Sequence, residues 1–251
     1  MPEGDSLARI AKALAPLVGE RLEVETPHPR AQLLHLTERL DGKRLDAVET
    51  QGKNLLLHFE DGLVLRSHLR MNGRWLVRPR DEQPLGRPWL VLRGSELQAL
   101  QLNGPVLELV RSAPRLRLGP DILARPLARD EIVSRLRAEP ARPIGEALLD
   151  QRLVAGIGNL WKAEALWHAG VSPWRPAGEL DGAELARVVD AAASLMQRSV
   201  AGERRPHRVY RRAGRPCPRC ATRIRSFPQG EQARTAYWCS ACQRGEDPTG
   251  A

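Results

Sequence analysis

Apolar positions change their spacing twice along this chain. Between Asp5 and Gly19 they recur at helical intervals: Leu7, Ile10, Ala11, Leu14, Leu17 and Val18 fall on one face. Asp5 or Ser6 is the expected N-cap, and Pro16 and Gly19 the expected stop. From about residue 21 to 112 the period shortens. LDAVET, the turn QG, KNLLLHF, the turn EDG and LVLRSHL read as a meander of strands. RWLV, PWLVLR, ELQALQL and VLELV continue it, and this many short strands at even spacing predict a β-sandwich or barrel. SAPRLRLGPDILARPLARD reads as a linker. After it the helical period returns in RDEIVSRLR, IGEALLDQRLVA, NLWKAEALWHAG and AELARVVDAAASLMQRSV. The last forty or so residues hold every cysteine and little apolar period. The layout is an α+β chain: a β domain with a flanking helix, a linker, a helical bundle and a small cysteine module.

Composition narrows the classes. With 251 residues, 42% hydrophobic and 27% charged, the chain reads as a globular protein large enough for two cores. It has no apolar run near the ~20 residues of a membrane span and no signal-peptide pattern, so a cytosolic location is expected. The net charge of +9 is unevenly placed. Residues 201–251 hold eleven arginines against Glu203, Glu231, Glu246 and Asp247. A clustered basic footprint points to a polyanion, nucleic acid before membrane.

Cys217-x2-Cys220-x18-Cys239-x2-Cys242 is a zinc-ligand spacing. Four thiolates close a tetrahedral site and leave no position for substrate, so the metal is structural. In RLVAGIGNLWKAEALWHAG a glycine turn joins two helices, with Asn159 placed as N-cap and Gly170 as terminator. A capped helix hairpin explains this pattern; so does a phosphate site on exposed N–H groups. Trp161 and Trp167 read as core.

MPEG at the start, QGKNLLL, HLRMNG, LGPDIL, the LLDQRLVAGIGNLWKAEALWHAG block and the CPRC…RTAYWCSACQ ending resemble, in order and over nearly the whole chain, the formamidopyrimidine-DNA glycosylase and endonuclease VIII family. The resemblance implies a catalytic β-sandwich over residues 1–112, a linker over 113–125, a helix–two-turns–helix domain over 126–205 and a zinc-finger hairpin over 206–247. It implies a bifunctional base-excision enzyme. Met1 is removed and Pro2 becomes the nucleophile, an α-amine whose pKa of about 7.7–8.0 leaves a useful unprotonated fraction. Glu3 is the neighbouring acid/base, and Lys53 and Arg234 grip phosphate at the lesion. Asn159 and His68 contact the backbone, while Met71 and Leu102 attend the gap left in the stack; for Met71 a place in the core is the competing reading.

Four departures bear on substrate. Ser6 stands where the family usually has a second acid. QLNG, with Gln101, Leu102 and Asn103, replaces the Arg-Phe wedge. Gly145 stands where the purine-specific branch often has Lys, and only sixteen residues separate Val200 from Cys217. PEG rather than PEL and YWC before Cys239 favour an endonuclease VIII-like enzyme of the actinobacterial PEGD type. The expected chemistry is removal of oxidised pyrimidines through a Schiff base, with β,δ-elimination. The expected partners are damaged DNA and one structural Zn2+, with no organic cofactor, in a monomer of the bacterial cytoplasm and nucleoid. The alternatives are an 8-oxoguanine/formamidopyrimidine glycosylase, a non-catalytic nucleic-acid-binding zinc protein and, on charge alone, a ribosome-associated protein.

Overall fold

A computed structural model describes residues 2–83, 86–104, 106–112, 114, 116–203, 206–243, 245 and 248. The chain divides into two compact units, Met1–Leu116 and Arg117–Ala251.

In the first unit, helix α1 (Gly4–Leu14) runs on through a 3-10 turn, Ala15–Leu17. Leu7, Leu14 and Leu17 are fully buried, whereas Val18 is exposed. The N-cap is Glu3, in extended backbone, and not Asp5 or Ser6. Asp5 is instead inside the first turn, paired with Arg9 at 2.7 Å, where a carboxylate favours the positive helix end.

The strands are β1 (Glu23–Glu25), β2 (Leu45–Gln51), β3 (Asn54–Phe59), β4 (Leu63–Ser67), β5 (Arg74–Pro79), β6 (Leu90–Arg93), β7 (Leu97–Leu102) and β8 (Leu107–Val110). They form two antiparallel four-stranded sheets, ordered β1-β6-β7-β5 and β2-β3-β4-β8. Short helices α2 (Pro29–Gln32) and α3 (Leu36–Leu40), and β1 itself, have too few residues to show a period in the sequence. One core serves both sheets. Leu45, Leu55, Leu57, Leu65 and Leu107 from one meet Val24, Trp75, Leu90, Leu92 and Ala99 from the other, with α1 contributing its leucines. The expected sandwich is therefore present. Its one buried indole N–H, on Trp75, donates to Ser67 Oγ at 3.1 Å, which removes the cost of burying a polar atom.

The second unit contains α4 (Arg129–Arg137), α5 (Ile144–Ala147), α6 (Asn159–Ala169), α7 (Gly182–Val200) and a hairpin of β9 (Arg225–Gln229) and β10 (Arg234–Trp238). Residue Asp181 caps α7 with a reciprocal Asp181–Glu184 capping box. α5 is far shorter than the helix expected over 144–155. Past Ala147 polar side chains take over the backbone. Asp150 accepts from the Arg152 N–H at 2.9 Å. The Gln151 amide donates to Leu149 O and Ile157 O at 3.0 Å and accepts from Gly156 N. Such side-chain bonds offer the chain an alternative to helix. Arg152, and to a smaller extent Arg142, beside Asp150 hold its carboxyl far below the usual carboxylate range.

Candidate active site and metal centre

Pro2 is half-buried and leads directly into Glu3, whose side chain is 3% exposed at the mouth of α1. The carbonyl of Glu3 accepts from the Ser6 N–H at 2.9 Å. Ser6 Oγ accepts from Arg9 at 3.3 Å, so the position lacking a second acid is tied to the arginine that also holds Asp5. Met1 lies outside the described residues.

Lys53 sits in the two-residue turn between β2 and β3, behind Gly52 at φ +58°. A positive φ there matches the strand twist and favours glycine. Asn54 locks the turn: its amide donates to Gln51 O at 3.1 Å and its Oδ1 accepts from Arg66 Nε at 2.9 Å. His68 follows β4. The Arg70 N–H donates to His68 Nδ1 at 3.1 Å. Burial, then the charges of Arg70, Arg66 and Lys53, push the imidazole below its ordinary pKa. This favours the neutral imidazole, and with Nδ1 accepting from Arg70 the proton of that form belongs on Nε2.

Met71 is 54% exposed in the turn before β5, which excludes the core reading. Leu102, expected at the DNA face, is instead 7% exposed and Gln101 is fully buried. Leu102 pairs with Arg74 and Gln101 with Trp75 of β5, so both are covered within the sheet, on its opposite faces. Of QLN only Asn103 is exposed; it has φ +51° and its amide donates to Asn72 O at 3.4 Å.

In the second unit Asn159 opens α6 but does not cap it; the N-cap is Gly158. The Asn159 side chain turns to the hairpin, and its amide donates to Thr235 O at 2.9 Å. Thr235 follows Arg234, so two expected phosphate contacts 75 residues apart in sequence are brought together. Gly170 ends α6 in left-handed backbone at φ +73°, as its spacing implied. Trp167 is buried and Trp161 packs on the helical core.

Cys217, Cys220, Cys239 and Cys242 place all four sulfurs within 4.8 Å of one another. Separations of 3.4 Å for Cys220–Cys239 and Cys220–Cys242 and 3.9 Å for Cys217–Cys242 are far too long for disulfides. They bracket the edge of about 3.8 Å expected for a tetrahedron of 2.3 Å metal–sulfur bonds. Thr222 hydrogen bonds draw the Cys220 thiol down to about 6, while burial and the neighbouring sulfurs push Cys242 up to about 12. The buried indole N–H of Trp167 has no conventional acceptor and bears on Cys217, helping it to ionise. The donor set fits a metal cation, whose charge would let four crowded thiols ionise together.

Sequence reading missed the residues that hold the finger to α6. Glu164, 4% exposed, accepts backbone N–H bonds from Arg208, Val209 and Tyr210 at 2.9–3.0 Å. Gln243 accepts from Cys239 N and donates to Val171 O, both at 2.9 Å. Arg219 lies 3.9 Å above the Trp167 ring and donates to the Trp167 and His168 carbonyls. Arg212 and Arg223 also spend donors on carbonyls within the finger. The signal available was polar residues inside an otherwise apolar helix, NLWKAEALW.

Two family models match, the formamidopyrimidine-DNA glycosylase N-terminal domain over residues 1–105 and the H2TH domain of the same glycosylase over 118–209. Among curated relatives, a probable endonuclease 8 2 of Streptomyces coelicolor is 38% identical, covering 99% of this chain and 96% of its own. The DNA-(apurinic or apyrimidinic site) lyase Nei2 of Mycolicibacterium smegmatis is 34% identical over 97% and 99%. The Lactococcus lactis formamidopyrimidine-DNA glycosylase, solved with DNA containing an abasic site, shares the fold at a TM-score of 0.83 and 24% identity, covering 97% of this chain and all of its own. With relatives of this identity spanning nearly every residue, the chain belongs to the formamidopyrimidine-DNA glycosylase and endonuclease 8 family.

Proposed function

We propose that this chain is a bifunctional DNA glycosylase and abasic-site lyase of base excision repair that prefers oxidised pyrimidines. The observation that carries the chemistry is the seat of Pro2 and Glu3. The second residue runs straight into the N-terminus of an eleven-residue helix, with the Glu3 carboxyl buried beside it. The positive end of that helix disfavours a second positive charge, which favours a neutral amine. Once Met1 is gone, the Pro2 nitrogen attacks C1′ of the damaged nucleotide and the base departs with a proton. The proton of the former Pro2 N–H passes to O4′, the C1′–O4′ bond breaks and the sugar ring opens to an iminium at C1′; this acidifies the C2′ proton, whose removal expels the 3′ phosphate, and a second elimination expels the 5′ phosphate. Glu3 moves the protons. Lys53, His68, Asn159 and Arg234 hold phosphates, and exposed Met71 fills the gap left by the flipped nucleotide.

The metal is zinc, held by Cys217, Cys220, Cys239 and Cys242. It is closed to substrate and supplies only structure. The division of labour is catalysis in 1–112, a linker over 113–125, the helical domain over 126–205 and the finger over 206–247. The protein works as a monomer on the bacterial chromosome; among the described residues no helix is long and apolar enough to cross a membrane.

Pyrimidine preference rests on flipping energetics. Ring-saturated pyrimidines have lost planarity and stack badly, so extrusion costs less, whereas 8-oxoguanine stacks well and needs contacts to extract it. A side chain at Gly145 has no room: a Cβ would lie 2.4 Å from Gln229 Oε1 and 2.9 Å from Pro173 O. The sixteen residues before Cys217 leave little chain for a loop over the base. Borohydride trapping and single-turnover excision on matched duplexes test both parts. Thymine glycol is expected to be removed faster than 8-oxoguanine opposite cytosine, with Pro2 in the trapped adduct. Faster removal of 8-oxoguanine would assign the chain to the purine branch.

A further inference from the structure

A two-stranded hairpin is marginal alone. The four cysteines flank β9 and β10, so the metal secures the base of this one. Its tip, where Gln229 pairs with Arg234, lies four residues further along each strand, about 13 Å at the usual rise. Something else must hold the tip, because an arginine that grips a phosphate needs a fixed direction.

The holding groups come from one face of α6. Asn159 and Lys162 are three residues apart and so project alike. Asn159 donates to Thr235 O on β10 at 2.9 Å. Lys162, fully buried, reaches across to β9, its Nζ 3.4 Å from Gln229 Oε1. Gln229 is the one buried residue of β9. Its amide donates to Pro173 O at 2.9 Å, and the Gly145 N–H donates to the same carbonyl at 3.0 Å. Gly145 is thus the bare floor on which the Gln229 amide rests, since a Cβ there would meet it. A buried ammonium is costly to keep, and nothing in the chemistry of Pro2 requires this one.

We propose that Lys162 and Gln229, seated on Gly145 and Pro173, are a positioning clamp that aims Arg234 at the DNA backbone. The clamp rests on the reading of Arg234 as a phosphate contact. It acts through that arginine and touches no reacting atom.

The test is a double-mutant cycle on the full-length protein, binding a duplex with a tetrahydrofuran abasic-site analogue over a range of salt. Lys162→Met keeps the stem and removes the charge; Gln229→Leu breaks the clamp from the other strand. Each is expected to weaken binding about tenfold and to make the salt dependence shallower by about one unit of slope, as Arg234→Ala does. Metal content and melting temperature stay at wild-type values. In the Arg234→Ala background each adds less than about twofold, because the arginine it aims is gone. Lys162→Gln, which restores a donor to Gln229, recovers part of the loss. Additive losses, or wild-type binding by both single variants, would overturn the clamp. So would loss of metal or of the fold in both, which would make the pair structural support. If Arg234→Ala itself binds like wild type, the phosphate reading fails first and takes the clamp with it.

Discussion

The β-sandwich and the finger hold their candidate residues by opposite means. Lys53 and His68 stand at the ends of strands that share one apolar core, built from all eight strands with α1 and α3. Their positions follow from apolar burial, worth roughly 25 cal/mol for each Å² removed from water. The finger and the helix beneath it have a core of only a few apolar residues, chiefly Trp167, Val209, Tyr210 and Ile224, together with the cysteines. The cysteine cluster and directed polar bonds do the holding there: Glu164 on three successive N–H groups, Gln243 on Val171, Arg219 on the end of α6. A local mutation in the sandwich is therefore buffered by many neighbours, whereas in the finger one polar atom can decide the geometry. Arginine abundance also means different things. Arg219, Arg212 and Arg223 are bound to carbonyls, so the basic count of the last fifth of the chain overstates the donors free to meet phosphate.

The largest effect expected is on the sandwich side. Pro2→Gly abolishes the borohydride-trapped adduct on an abasic duplex, and Glu3→Gln slows base removal by about 10²–10⁴-fold; both melt like wild type. A Pro2→Gly protein that trapped as well as wild type would move the nucleophile, most simply to Lys53. Metal removal tests the other side. Chelation, or Cys239→Ser, forfeits binding energy of about 10–16 kcal/mol at the finger. The expected outcome is loss of DNA binding together with a separate, unshifted transition for the leucine core. A single cooperative loss of both units would break the contrast.

Glu164→Ala strands three backbone N–H groups in a buried place and is expected to cost about 3 kcal/mol in a denaturant titration, with Glu164→Gln recovering part. Two finger arginines then separate charge from scaffold. Arg234→Ala weakens DNA binding similarly across sequences and makes the salt slope shallower by about one, at unchanged stability. Arg219→Ala lowers stability by about 1 kcal/mol and leaves the salt slope as it was. If the two behave alike, the finger arginines are an undifferentiated patch. The smallest effect is at His68. Its folded pKa lies below the ordinary 6.5, so it adds stability above that value which is lost as pH falls through the folded pKa. His68→Gln, a neutral donor, is expected to keep most activity at pH 7 where His68→Ala loses several-fold; equal losses would assign the role to charge.

The linear chain carried what depends on spacing. Period two between turn residues marked seven of the eight strands of the sandwich, and period 3.6 marked α1, α4, α6 and α7, because alternation and helical repeat are local consequences of burying one face. Two C-x-x-C pairs marked a metal cluster, because a tight turn sets two sulfurs side by side. Helix ends were less legible. Asp150 and Gln151, written inside an apolar helical period, end α5 by bonding nearby backbone groups, a competition that no period records.

Tertiary packing decided the remainder. Leu102 and Met71 are both apolar residues beside loops, yet one is buried in the sheet and the other is 54% exposed. Strand pairing tells them apart: Leu102 is held in β7 against Arg74 of β5, while Met71 lies in the turn before β5. Asn159, Lys162, Glu164 and Gln229 owe their roles to partners from 44 to 76 positions away. A polar side chain inside an apolar run does not name its partner. The choice is made when the chain closes and each buried donor must find an acceptor.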